Sequence, residues 1–314
     1  MTAIALAMCL ALSGCNRLSA DPSAPASTSA SSPRSASAST PTNRTVTVTT
    51  KDGARQAIVV HPTNAGVKPA LVVMLHGGFG SDTQAEKAYG WDDEATHDGF
   101  VVAYPNGVDK AWNVGNCCGA AQRSGVDDVA FLHALVAQLE QTDGVDPKRV
   151  YAVGMSNGAM MTYTWACRDP GELAAIGPVA GTLGTPCPSP HPITVIAIHG
   201  TADQHVPIDG GVGPAGRTGV SYDSLAQSLA PFIAADGCAD SPAVAKAPPL
   251  TTSVWTCAAG QSVTTRVVDG AGHQWPGSIK PSTAGRKLLG IDPPSTAFDA
   301  TDFLWQQLSP HRAD

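Results

Sequence analysis

A serine hydroxyl is a poor nucleophile at neutral pH, and one segment of this chain has the form that corrects it. Gly154-Met155-Ser156-Asn157-Gly158 follows the apolar run Val150-Tyr151-Ala152-Val153 and precedes a helix-like segment, Ala159 to Arg168. A sharp strand-to-helix turn of this kind exposes the serine oxygen beside a base and aims the N–H of Asn157 at the place where negative charge develops. The flanking glycines keep side chains out of the crowded turn. Three further strand ends supply partners. In Leu75-His76-Gly77-Gly78-Phe79-Gly80 the N–H of Gly78, or of Phe79 as the alternative, is the second donor to an oxyanion. Each such donor is worth about 3 to 4 kcal/mol. His76 reads as a brace for that loop. Ile198-His199-Gly200-Thr201-Ala202-Asp203 offers Asp203 as the acid that orients a histidine, with Asp209 as its nearest rival. Gly270-Ala271-Gly272-His273-Gln274-Trp275 holds His273 in a glycine-rich loop as general base and acid, with His199 and His205 as weaker substitutes. Ser156, then Asp203, then His273 is the chain order that accompanies a nucleophile elbow. The chemistry implied is acyl transfer through a covalent serine ester, with activity that rises as the histidine loses its proton.

These strand ends share one edge only if the chain builds a particular sheet. Short apolar runs bounded by Gly, Pro or Asn predict buried parallel strands at Ala70 to Leu75, Phe100 to Tyr104, Arg149 to Val153, Ala174 to Val179 and Ile193 to Ile198, and a late one at Val263 to Val268. Alternation from Thr45 and again from Arg55 to His61, across the turn Lys51-Asp52-Gly53, predicts an opening hairpin. Val129, Leu132, Leu135, Val136 and Leu139 recur on one face of a helix from Asp127 to Gln141, and Phe298 to Leu308 reads as a closing helix over the sheet. Strand and helix in alternation give an α/β class, a doubly wound, mostly parallel sheet with helices on both faces. Ligands of such sheets collect at the carboxyl ends of the strands.

The chain's 314 residues, 43% hydrophobic and 14% charged, suit one large α/β domain. A net charge of −7 with no Lys/Arg cluster leaves nucleic acid or an anionic membrane no electrostatic footprint. Residues 1–15 read as a signal peptide ending in Leu12-Ser13-Gly14-Cys15, which resembles a bacterial lipobox with Cys15 as the lipidated residue. Residues 16–43, rich in Ser, Ala, Pro and Thr, read as a disordered tether, and 44–314 as a single catalytic domain. The only membrane association expected is through that anchor, and the domain is expected outside the cytoplasm, lipid-anchored to the cell envelope or secreted. With Cys9 and Cys15 set aside, Cys117, Cys118, Cys167, Cys187, Cys238 and Cys257 remain for disulfides. Cys238 pairs with Cys257 across the loop Ala239 to Pro249, and the other four leave three connectivities open. No Cys/His spacing supports a metal site.

Six ordered blocks then resemble a known family, the extracellular bacterial esterases of the polyhydroxybutyrate depolymerase and feruloyl esterase type. They are Leu75-His76-Gly77-Gly78, Trp112-Asn113 through Cys117-Cys118-Gly119, Gly125-Val126-Asp127-Asp128-Val129, Gly154 to Met160, His199-Gly200-Thr201-Ala202-Asp203 and Gly272 to Gly277. The resemblance implies the α/β-hydrolase fold and hydrolysis of carboxylic esters by Ser156, Asp203 and His273 without metal or organic cofactor. Feruloyl or other aryl esters, or short hydroxyalkanoate esters, are the expected substrates, small or polymer-linked. Phe79, Trp112 and Trp275 adjoin these blocks and are expected to form an aromatic acyl pocket. Acyl transfer to an envelope alcohol, peptide cleavage, and polysaccharide binding on a non-catalytic scaffold stay open as alternatives. Oligomeric state is not legible.

Overall fold

The computed structural model describes residues 42–168, 171–279, 282–289 and 291–313. The expected signal peptide with Cys15, and the tether up to residue 41, lie outside the described residues. Strand β1 begins at Thr42, so it takes in the last two residues that composition had assigned to the tether.

Strands in chain order are β1 (Thr42–Thr50), β2 (Gly53–His61), β3 (Leu71–Leu75), β4 (Val101–Pro105), β5 (Val150–Met155), β6 (Ala175–Val179), β7 (Thr194–Gly200), β8 (Gly211–Val212), β9 (Ser221–Tyr222), β10 (Ala243–Ala247), β11 (Leu250–Thr256) and β12 (Ser262–Val268). Helices are α1 (Asp82–Ala88), α2 (Trp91–Asp98), α3 (Gly119–Ser124), α4 (Asp128–Asp143), α5 (Asn157–Arg168), α6 (Leu225–Ala235), α7 (Thr283–Leu289) and α8 (Ala300–Leu308). Ten of the strands form one sheet in the order β1-β2-β4-β3-β5-β6-β7-β12-β11-β10, while β8 and β9 pair separately. The centre from β4 to β12 is parallel. Antiparallel pairs extend both flanks, β1 and β2 beside β4, and β11 and β10 beside β12. This is the expected doubly wound sheet.

The period of two decides which helix each strand residue meets. Leu71, Val73 and Leu75 of β3, with Val150 and Ala152 of β5, pack in one buried cluster with Leu132, Leu135 and Leu139 of α4 and Phe232 of α6. Val72 and Met74, with Tyr151 and Val153, pack in a second with Trp91 of α2 and Leu304 and Leu308 of α8. Both faces of the parallel strands are therefore covered, which is why those strands read as unbroken apolar runs. Leu304 and Leu308 are fully buried, whereas Phe303, expected to cover the sheet with them, is half-buried and packs edge-on against Phe298. The segment expected as the loop Ala239 to Pro249 contains a strand instead. Ala243–Ala247 forms β10, exposed along its whole length at the sheet edge, where an apolar signal has no reason to exist.

Disulfides join Cys117 to Cys118, Cys167 to Cys187 and Cys238 to Cys257. The last links the end of α6 to β11. Its neighbour Asp236 comes close to both sulfurs, but cysteines held in a disulfide offer no thiolate to a cation.

Candidate active site

The elbow forms where β5 meets α5. Ser156 has φ 57°, the left-handed region that side chains other than glycine rarely occupy. Its two glycines are required by close approach. A Cβ at Gly158 would lie 2.1 Å from the Leu75 carbonyl oxygen, and one at Gly154 would lie 2.4 Å from the Gly158 backbone. The first turn of α5 is thus pressed directly against the end of β3.

Asp203 follows β7 and His273 follows β12, and these strands are parallel neighbours. Their turns are hydrogen-bonded together, with Thr201 N–H donating to Val268 O and Ala202 N–H to Ala271 O. The structure brings Ser156, His273 and Asp203 into one line. His273 Nε2 is 2.8 Å from Ser156 Oγ, and His273 Nδ1 is 2.8 Å from Asp203 Oδ2. Asp203 Oδ1 accepts the N–H groups of His205 at 2.8 Å and Val206 at 2.9 Å. Burial alone pushes the Asp203 carboxyl up, but the charge and hydrogen bond of His273, with help from His199 and the Val206 N–H, hold it below the ordinary carboxylate value. Asp209, the rival acid, is exposed.

The two substitute histidines take other places. His199 is buried below Asp203, its Nε2 2.8 Å from the Val206 carbonyl oxygen and 3.5 Å from Asp203 Oδ2. A carbonyl only accepts, so Nε2 carries the proton and His199 supports the acid from behind. His205 stacks on His273 with ring centroids 5.0 Å apart and planes 9° apart. Burial first, then the neighbouring His273, push its pKa down.

Opposite the histidine side lie the two backbone N–H groups expected to face an oxyanion. Phe79 N–H donates to Lys110 O at 2.8 Å, so it is already engaged. Among the described residues Gly78 N–H has no backbone acceptor, and a Cβ at Gly78 would lie 3.9 Å from Asn157 Cβ. Gly78 and Asn157 are therefore neighbours with their N–H groups open. His76 ties this loop down: Nδ1 meets Gly77 O at 2.8 Å, and Nε2 accepts the Gly107 N–H at 2.9 Å. Burial pushes its pKa down to about 4, so the ring is neutral.

A pocket of about 420 Å³ opens over Ser156 and His273. Phe79 lines it, 55% exposed, with the Arg217 guanidinium 5.3 Å from its ring centroid. Trp112 and Trp275, expected beside it as acyl-pocket walls, are corrected by the structure: both are buried and neither lines it. Each indole N–H needs a partner away from water, and each finds one inside the protein. Trp112 donates to His76 O at 2.9 Å, and Trp275 donates to Thr301 Oγ1 at 3.1 Å among the aromatic rings of Tyr89 and Trp91. Its lining includes instead the disulfide pair Cys117 and Cys118, with Gly119 of α3 and Met160 of α5.

Sequence reasoning missed two supports. Asp292 accepts the His273 N–H at 2.8 Å through Oδ2 and returns its own N–H to His273 O at 2.9 Å, which clamps the backbone of His273. Asp292 lies in coil, away from any strand end, and no pattern marks it. The second support begins at Asn157, whose side chain both accepts from Trp112 N–H at 2.7 Å and donates to Trp112 O at 3.1 Å. Asn113 N–H donates to buried Asp128, which meets the Arg55 guanidinium at 2.6 Å. Burial pushes Asp128 up and Arg55 down in spite of that contact. From the block Gly125 to Val129 the sequence had shown the start of the helix at Asp127, but not the burial of Asp128 against Arg55.

Comparison with known proteins identifies the family and the fold. Residues 55–212 match the family described as esterase PHB depolymerase, a span that includes Ser156 and Asp203 and stops short of His273. The chain is 33% identical over 256 residues to NocK of Nocardia uniformis subsp. tsuyamanensis, a protein named as an esterase, covering 74% of this chain and 73% of that one. It is 34% identical over 170 residues to feruloyl esterase B of Piromyces equi, covering 50% of this chain but only 31% of that longer protein. The acetyl xylan esterase of Aspergillus awamori superposes with a TM-score of 0.57 at 15% identity, over 79% of this chain and all of that one, which establishes the α/β-hydrolase fold.

Proposed function

Because the chain belongs to the esterase PHB depolymerase family, we propose that it hydrolyses carboxylic esters through an acyl-enzyme on Ser156. The observation that carries this reading is the continuous relay from Ser156 Oγ through His273 to Asp203, with 2.8 Å at each step. Ser156 Oγ attacks the ester carbonyl while His273 Nε2 takes its proton. Asp203 keeps the other ring nitrogen protonated and steadies the imidazolium that forms. The N–H groups of Gly78 and Asn157 hold the oxyanion. His273 then returns the proton to the departing alkoxide, and the C–O bond breaks to leave the acyl-enzyme. Water, deprotonated by His273, repeats the attack and releases the acid.

The pocket over Ser156 has room for a small acyl or aryl group, with Phe79 and Tyr222 among its lining residues, so feruloyl-type or short hydroxyalkanoate esters are the substrates we infer. Three disulfides suit an oxidising compartment, which supports a protein acting outside the cytoplasm, with Cys15 as its proposed lipid anchor. The test is a panel of p-nitrophenyl, feruloyl and oligohydroxybutyrate esters with the wild type and Ser156→Ala, together with labelling by an organophosphonate. Wild-type turnover and labelling, both lost in Ser156→Ala, are expected. Turnover that survives in Ser156→Ala would refute the acyl-enzyme.

A further inference from the structure

The pocket beside Ser156 is charged against the sign of the molecule. The chain carries 26 acidic and 19 basic residues, for a net charge of −7. Yet Lys110, Arg123 and Arg217 line the pocket with Asp109 as the single carboxylate among its walls. Three separate elements deliver these cations. Lys110 sits in the turn closed by the bridge from Val108 to Ala111, Arg123 in the last turn of α3 beyond the disulfide wall, and Arg217 between β8 and β9 over Phe79. An acidic cluster lies elsewhere, where burial, with Asp98, Asp302 and Asp299 nearby, pushes Glu94 up to about 7. At His205, which stacks on His273, the carboxylates of Asp203 and Asp292 act against Arg217, so the cationic excess belongs to the pocket lining and not to the relay itself.

Building on the esterase reading above, we propose that this pocket selects esters that carry a carboxylate on the acid or the alcohol part. The three cations are solvent-exposed, so they attract an anion without first losing much hydration, and their pull is long-ranged and screened by salt. The discrimination therefore lies in kcat/KM at low ionic strength. An exposed pair of opposite charges contributes about two- to fivefold, so each cation adds a factor of that order.

Isosteric pairs test this directly. 4-Acetoxybenzoate against 4-acetoxybenzamide places the charge on the alcohol part, and the monomethyl ester of glutaric acid against that of its half-amide places it on the acid part. The expected result is an anionic-to-neutral kcat/KM ratio of about five or more for at least one pair in low salt. That ratio falls about two- to fivefold in Lys110→Gln and in Arg123→Gln, and likewise in 0.5 M sodium chloride. Because each ratio is taken within one variant, a change in folded fraction cancels. Ratios at or below one for both pairs, or ratios unmoved by the substitutions, overturn the proposal and leave the esterase intact. No turnover of any of the four esters by an enzyme that still hydrolyses the p-nitrophenyl and feruloyl esters would likewise overturn the proposal and leave the esterase intact, whereas no turnover of those esters either would count against the esterase reading itself.

Discussion

Asp203→Asn separates this site from a merely plausible cluster, because the structure dictates which way the new amide must face. Asp203 Oδ1 accepts two backbone N–H groups, from His205 at 2.8 Å and Val206 at 2.9 Å. In the variant, the amide oxygen stays with those two donors and the NH2 faces His273 Nδ1. That nitrogen must then accept, so the ring proton moves to Nε2, where it points at Ser156 Oγ and no lone pair is left to take the serine proton. The opposite flip sets the NH2 against two N–H donors and leaves both unsatisfied, at about 1 to 3 kcal/mol each. The competent tautomer is therefore disfavoured by about 2 to 6 kcal/mol, a loss of between about thirtyfold and about 25,000-fold in kcat. The same substitution in a serine protease triad costs about 10⁴-fold. The assay is steady-state hydrolysis of a neutral aryl ester, with circular dichroism and thermal unfolding to establish that the variant is folded. KM should change little. A folded Asp203→Asn that retains kcat within tenfold of wild type would refute the reasoning, and a collapse in Asp209→Asn instead would move the acid to that residue.

Two stability predictions rest on buried groups. His76 is held neutral with its pKa lowered to about 4 from 6.5; the unfolded chain takes up that proton first, so stability present above pH 6.5 is lost as pH falls towards 4. The loss is about 3 kcal/mol at most, read as a falling urea midpoint between pH 7 and 4.5 that is shallower in His76→Gln. Asp128→Ala removes the counter-charge of the buried Arg55 guanidinium and leaves it its hydrogen bonds to Asn106 O, a change expected to cost about 3 to 5 kcal/mol in urea unfolding. A cost below about 1 kcal/mol would mean that the hydrogen bonds to Asn106 O suffice to hold the charge.

The parallel centre of the sheet was legible because burial on both faces demands unbroken apolar runs, as in Leu71 to Leu75. The flank was not: β10 is exposed throughout and β11 is half-buried along most of its length, so neither carries a hydrophobic signature. Of the site, the residues that end strands could be read from position and chain order, since the sheet itself determines where those ends lie. Trp112 and Trp275 were misplaced because adjacency to the family blocks says nothing of which side of a loop an indole occupies, and each turned inward to satisfy its N–H. Asp292 and the link from Asn157 to Trp112 act through backbone hydrogen bonds between distant segments, and these leave no local pattern.

The placing of the three strand ends has one more implication. Ser156 hangs from β5 in the covered middle of the sheet, while His273 hangs from β12, whose outer neighbours β11 and β10 grow progressively barer towards the rim. A transient peeling of that rim would withdraw the imidazole and leave the hydroxyl seated. Catalytic output would thus be the earliest casualty of heat or denaturant, fading while the rest of the scaffold still held.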